Sequence, residues 1–266
     1  MAVAVWPAYE NLPLLRHLCN DALENDPVYE VAGRQPHVAE ARTALARHLP
    51  HFATDAFRWI HAADYFMCAE GHSLAVPAEL QPYRDTAVTH TLFRFSTLFE
   101  SAARRALAVG GLLGDILRNM DTAVGHSGDD QHSAAPHFAV FSGHDITVLP
   151  LLQCLMGRRM HEWPPYASAV TIELCHVGDS LPSHGERSDD AYAVRVQYNG
   201  QPVWLDVPRE AKRLAARSVP LPEPSMVPLA QFRAIVEKYT ALARAVSSQP
   251  VPDDLTGAEV SHDDAA

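Results

Sequence analysis

The sequence predicts an α/β protein with a helical first half and a mixed strand-and-helix second half. Three observations carry that prediction. Apolar residues recur three and four apart through most of the first 120 residues, which is the period of a helix with one buried face. After residue 136 the pattern changes to short alternating runs, the period of half-buried strands. Between two such runs stands Asn199-Gly200, the pair best suited to a two-residue type I′ hairpin turn. With 47% apolar residues among 266, the chain can bury a sizeable core.

Taken in order, HVAEARTALARHL (37–49) and FATDAFRWIHAADYFMCAE (52–70) read as amphipathic helices, with Ala56, Ile60, Ala63 and Met67 on one face of the second. Pro77 and Pro82 punctuate a loop. A long helical stretch runs from Asp85 to Met120, and Gly110-Gly111 in its middle predicts a break or kink there. GHSGDDQHSAAP (125–136) is polar and turn-rich and reads as a surface loop.

HFAVFS (137–142) then has strand character, ITVLPLLQCLM (146–156) reads as a helix, and SAVTIELCHV (168–177) and YAVRVQY (192–198) alternate as strands. PLAQFRAIVEKYTALARAV (228–246) closes the fold as an amphipathic helix. These elements divide the chain into a helical cap region with long core helices (1–124), the C-terminal part of an α/β core (125–247) and an acidic, disordered tail (248–266).

Composition narrows the function. A formal net charge of -11 without a basic stripe argues against a nucleic acid partner. Protonating all fifteen histidines would move that charge to +4, so the surface field depends strongly on pH in the weakly acidic range. No stretch holds about 18 consecutive apolar residues, so no membrane segment is expected. Met1 to Leu18 has no secretory pattern, and read as it stands the chain would stay in the cytoplasm.

Cys19, Cys68, Cys154 and Cys175 are far apart and form no CxxC, which favours free thiols over a zinc or redox site. His48 with His51, His126 with His132, and His161-Glu162 lack an HExxH-like context, so no metal and no cofactor is expected.

The residues with the clearest chemical promise are Ser142, Gly143, His144 and Asp145, where the strand-like run gives way to a helix. Ligands of α/β sheets bind at this kind of junction, where a helix start presents N–H groups to an anion. An imidazole there can donate to a phosphate oxygen, and the adjacent carboxylic acid can protonate a leaving oxygen. The competing reading makes Asp145 a cap for a helix starting at Ile146, worth about 1 kcal/mol. A serine-hydrolase triad fits poorly, because Ser142, His144 and Asp145 are near neighbours in one turn.

FSGHDITVLPLLQCLM (141–156) followed by WPPYASAVTIEL (163–174) resembles the C-terminal half of the histidine acid phosphatases, a branch of the histidine phosphatase superfamily. ADYFMCAEGHSLAVP (63–77), GGLLGDILRNM (110–120), YAVRVQYNG (192–200) and VPLAQF (227–232) fall in that family's order and at about its spacings. The resemblance implies a histidine-phosphatase-like core sheet with a helical cap. It implies a reaction in which a histidine of an N-terminal RHGxRxP motif attacks phosphorus and water then hydrolyses the phosphohistidine.

In that scheme His144 hydrogen-bonds the phosphoryl group and stabilises the transition state. Asp145 is the general acid toward the leaving alcohol, and the substrate is a small phosphomonoester or a phosphorylated glycan.

The sequence contains no RHGxRxP, and its Arg-His pairs, Arg16-His17 and Arg47-His48, lie in helical surroundings. No nucleophile is therefore assigned, and the resemblance implies that the N-terminal part of the core, with the nucleophile strand, is missing. Two readings follow: a partial form of an acid phosphatase, or a catalytically inactive relative serving as a binding or regulatory module. In either case the sheet would expose an unpaired edge, which a homodimer would cover. Where the family pattern would place partners for Cys19 and Cys68, this chain has Met226 and Ala169. The family works mostly in secretory or lysosomal compartments, which leaves the compartment undecided.

Overall fold

The computed structural model describes residues 12–48, 57–125, 138–177, 189–212, 221 and 223–248. The fold is mixed α/β, with nine helices and a small antiparallel sheet among those residues. The helices α1 (Leu12–Asn25), α2 (Pro27–Gly33), α3 (Pro36–His48), α4 (Trp59–Gly71), α5 (Arg84–Leu98) and α6 (Ala102–Ala123) precede α7 (Asp145–Met156). The strands β1 (Val170–His176), β2 (Tyr192–Tyr198) and β3 (Gln201–Pro202), a short α8 (Arg209–Lys212), β4 (Val227–Pro228) and α9 (Leu229–Ser247) complete it.

Strand β2 is the centre of the sheet. It pairs antiparallel with β1 along its full length, Val170 opposite Tyr198 and His176 opposite Tyr192. It also pairs with β3 and β4. Asn199 and Gly200 turn between β2 and β3 with φ of 49° and 77°, the positive pair that a type I′ turn requires. β1 borders no further strand among the described residues.

The main core lies where α6, α7 and α9 meet one face of the sheet. Leu113, Leu149, Leu152, Leu155, Val194, Val196 and Phe232 have no exposed surface there. A second cluster joins Val38, Ala41 and Leu45 of α3 with Trp59, Ala62 and Phe66 of α4 and with Leu80 and Ala87. Arg233 of α9 ties the main core's rim together by ion pairs with Asp121 at 2.7 Å and Asp189 at 3.1 Å.

Two expectations are corrected. The helical stretch from Asp85 does not break at Gly110-Gly111; it breaks at Phe99–Ser101, where Ser101 caps α6 through Arg104 N at 3.4 Å. Gly110 instead sits inside α6 against α9, where an added Cβ would meet the Tyr239 carbonyl at 2.9 Å and Ala243 Cβ at 3.0 Å. The glycine allows a close helix crossing rather than a kink.

The second correction concerns the HFAVFS run. Residues 138–141 form no paired strand, and only Ser142 makes an isolated bridge. With no neighbouring strand to receive them, Phe138 is 80% and Val140 45% exposed. The loop at 126–136, residues 52–56 of the expected helix, and the tail from 249 onward lie outside the described residues, as do His51, His126 and His132.

Candidate functional site

The exposed start of α7 is built by His144 and Asp145. His144 is extended (φ -98°, ψ 170°) and occupies the cap position, so Asp145 is the first helical residue rather than the cap before Ile146. The His144 carbonyl accepts from Thr147 N at 2.8 Å and Val148 N at 2.9 Å, and its amide donates to Thr147 Oγ1 at 3.3 Å. Gly143 leaves room for that threonine, whose Cβ a methyl group would meet at 3.2 Å. His144 itself is exposed and Asp145 half-buried.

Asp145 is held from two sides. Its Oδ1 accepts from Ile146 N at 2.7 Å, and its Oδ2 accepts from the indole Nε1 of Trp163 at 2.9 Å. Trp163 is buried and rests edge-on against Phe95 of α5, with ring centroids 5.5 Å apart. The carboxyl group is thus fixed in direction by a rigid donor.

The opposite wall comes from α4. His61, Asp64 and Cys68 stand at i, i+3 and i+7, one face of that helix. Burial pushes the Asp64 carboxyl above its usual range, the charge of Asp145 pushes it further, and His61 opposes the shift. Cys68 Sγ lies 3.0 Å from Tyr166 Oη in a hydrogen bond. That bond, and then burial, push the Tyr166 phenol up to about 12.

The sequence brought out His144 and Asp145, which stand side by side at the exposed start of α7. It did not bring out Asp64, Trp163, Tyr166 or Cys68; the signal available was the polar 61/64/68 stripe on an otherwise apolar helix. Ser142 is exposed, and both Asp145 oxygens are engaged away from His144, so no triad geometry forms. The Arg-His pairs lie on α1 and at the end of α3, where His48 Nδ1 is 4.0 Å from Glu79. The four cysteines are free, and burial pushes Cys19 and Cys154 to about 11 and about 12. No helix among the described residues is long and apolar enough to cross a membrane.

The sequence is similar to three characterised proteins. It is 33% identical over 101 residues to 2-phosphoxylose phosphatase 1 of Xenopus tropicalis, covering 38% of this chain and 17% of that protein. Against 2-phosphoxylose phosphatase 1 of Danio rerio the identity is 30% over 103 residues, 38% of this chain and 19% of the relative. Counting factor 60 of Dictyostelium discoideum is 27% identical over 151 residues, 56% of this chain and 32% of the relative. The relationship these matches suggest is phosphatase-like. No family model matches the sequence. The matches span about a third or less of each relative's own length.

Proposed function

We propose that this chain carries the leaving-group side of a phosphomonoester hydrolase that works through a phosphohistidine. The observation that supports it best is the Asp145 carboxyl, held by Trp163 and Ile146 at an exposed helix start with the Asp64 carboxyl nearby. In this reading the proton of Asp145 passes to the bridging ester oxygen as the P–O bond breaks and the phosphoryl group moves to the attacking histidine. The carboxylate then takes a proton from the water that attacks the phosphohistidine, releasing inorganic phosphate and restoring the acid. His144 donates to a non-bridging phosphoryl oxygen and offsets its growing charge.

The attacking histidine, in an RHGxRxP segment, would belong to polypeptide outside these 266 residues. The extended run at Phe138–Phe141, with Phe138 and Val140 facing outward, offers an unpaired backbone for the strand that would bring it. Two relatives are named for a phosphorylated sugar, which favours a phosphorylated glycan or small phosphomonoester as substrate. The lack of an RHGxRxP in the sequence favours a second reading, an inactive relative that binds without turning over.

The test is hydrolysis at about pH 5 by the chain expressed with the coding sequence upstream of Met1, comparing Asp145→Asn with the parent. The expected loss is about 10²- to 10⁴-fold, larger for an alkyl phosphate than for p-nitrophenyl phosphate, whose leaving group needs little protonation. An equal loss on both substrates overturns the general-acid role. No turnover by the parent leaves the inactive reading in its place.

A further inference from the structure

A cavity of about 450 Å³ opens between α1, the start of α4, and α5, separate from the His144–Asp145 rim. Three arginines line it, Arg16, Arg58 and Arg94, and among the described residues its lining contains no aspartate or glutamate. In a chain of net charge -11, that is an unexpected concentration of positive charge. Among the described residues, none of the three is paired with a carboxylate.

Arg94 makes the case sharpest. It is half-buried, its guanidinium stands 5.3 Å from the Tyr29 ring, and burial together with the charge of Arg42 disfavours its charged form. Removing a cation from water without a counter-ion costs several kcal/mol unless something anionic compensates it.

The remaining walls are aromatic. Phe57 and Trp59 stand edge to face at 5.1 Å, and Phe95 closes the side toward Trp163. Cations for acidic groups and apolar aromatic walls together describe an organic ligand rather than a simple ion. The volume fits one small molecule. A nucleic acid strand is disfavoured, since the positive charge fills one pocket rather than a stripe.

We propose that this cavity is a binding site for an organic polyanion, a ring compound bearing two or three sulfate, phosphate or carboxylate groups. The site does not depend on the phosphatase reading: its residues are not those of the Asp145 region, which it touches through the Phe95–Trp163 contact.

Titration calorimetry of the full chain with naphthalenetrisulfonate, a trianion that phosphatase chemistry cannot consume, tests it. Saturable binding is expected, weakening as salt rises from about 50 to about 200 mM. Arg16→Gln and Arg58→Gln, both at exposed positions, should each weaken it about tenfold or more, and inorganic sulfate should bind at least about tenfold less tightly. Arg94→Gln should weaken it further; if that variant does not fold, the two exposed arginines decide. Asp145→Asn should leave the affinity unchanged. Absence of binding, affinity indifferent to Arg16 and Arg58, or sulfate binding as tightly as the trisulfonate would each overturn the proposal.

Discussion

The core where α6, α7 and α9 meet and the wall of α3, α4 and α5 are both made by helices packing side on over buried apolar residues, yet they differ in the polar groups held beside them. In the core the meeting surfaces are leucine, valine and phenylalanine without exposed surface, and Gly110 lets two backbones nearly touch. The wall buries His90 at 5% exposure with its Nε2 unpartnered, half-buries Arg94, and raises Asp64. The first region is held mainly by apolar packing, which depends little on pH. Beside the apolar cluster of Leu45, Ala62 and Phe66, the second region holds His90, Arg94 and Asp64, whose charged forms burial disfavours, at a cost in stability.

The largest expected effect sharpens that contrast. Leu152→Ala should destabilise the chain by about 3 kcal/mol, equally at neutral and acid pH, because it removes only apolar contacts. Denaturant unfolding at several pH values measures it.

His90 should behave oppositely. Burial, then the charges of Arg94 and His37, lower its imidazole from 6.5 to about 4. The unfolded chain takes up this proton at 6.5 and the folded chain resists it until about 4. Stability present above 6.5 is therefore lost as pH falls through that window, by up to about 3 kcal/mol. In His90→Phe the slope of unfolding free energy against pH across that window should flatten; an unchanged slope would erase the distinction between wall and core.

A smaller effect is expected at Asp64. Its folded carboxyl is raised above 3.8, so its contribution is fully present below 3.8 and is lost as pH rises through the folded value. Asp64→Asn should thus raise the melting temperature slightly at neutral pH, and not below pH 3.8. Smallest of all, Phe138→Ser should change stability by no more than about 0.5 kcal/mol, since Phe138 is 80% exposed.

Much of the helical frame was legible, because α3, α4, α5, α7 and α9 each carry their own apolar period and report it locally. So were β1, β2 and the Asn199-Gly200 turn. HFAVFS was not, since a run of strand-like residues becomes a strand only if another backbone lies beside it, and periodicity cannot say so. Gly110 misled for a similar reason: its use is set by Tyr239 and Ala243 on α9, far along the chain. At the site, His144 and Asp145 were legible as neighbours at a junction. Trp163 and Asp64 reach Asp145 only through tertiary packing, across separations that no local pattern records.

The close crossing of α6 and α9 also says something about how this polypeptide is made. Gly110 emerges from the ribosome well over a hundred residues before the Tyr239 carbonyl that rests on it. Until Leu229–Ser247 has been synthesised, the apolar stripe of α6 has no lid, and a nascent chain stalled short of that point presents Leu113 and Leu117 to whatever it meets. Emergence of α9, rather than the appearance of the first helices, is the step at which this core closes.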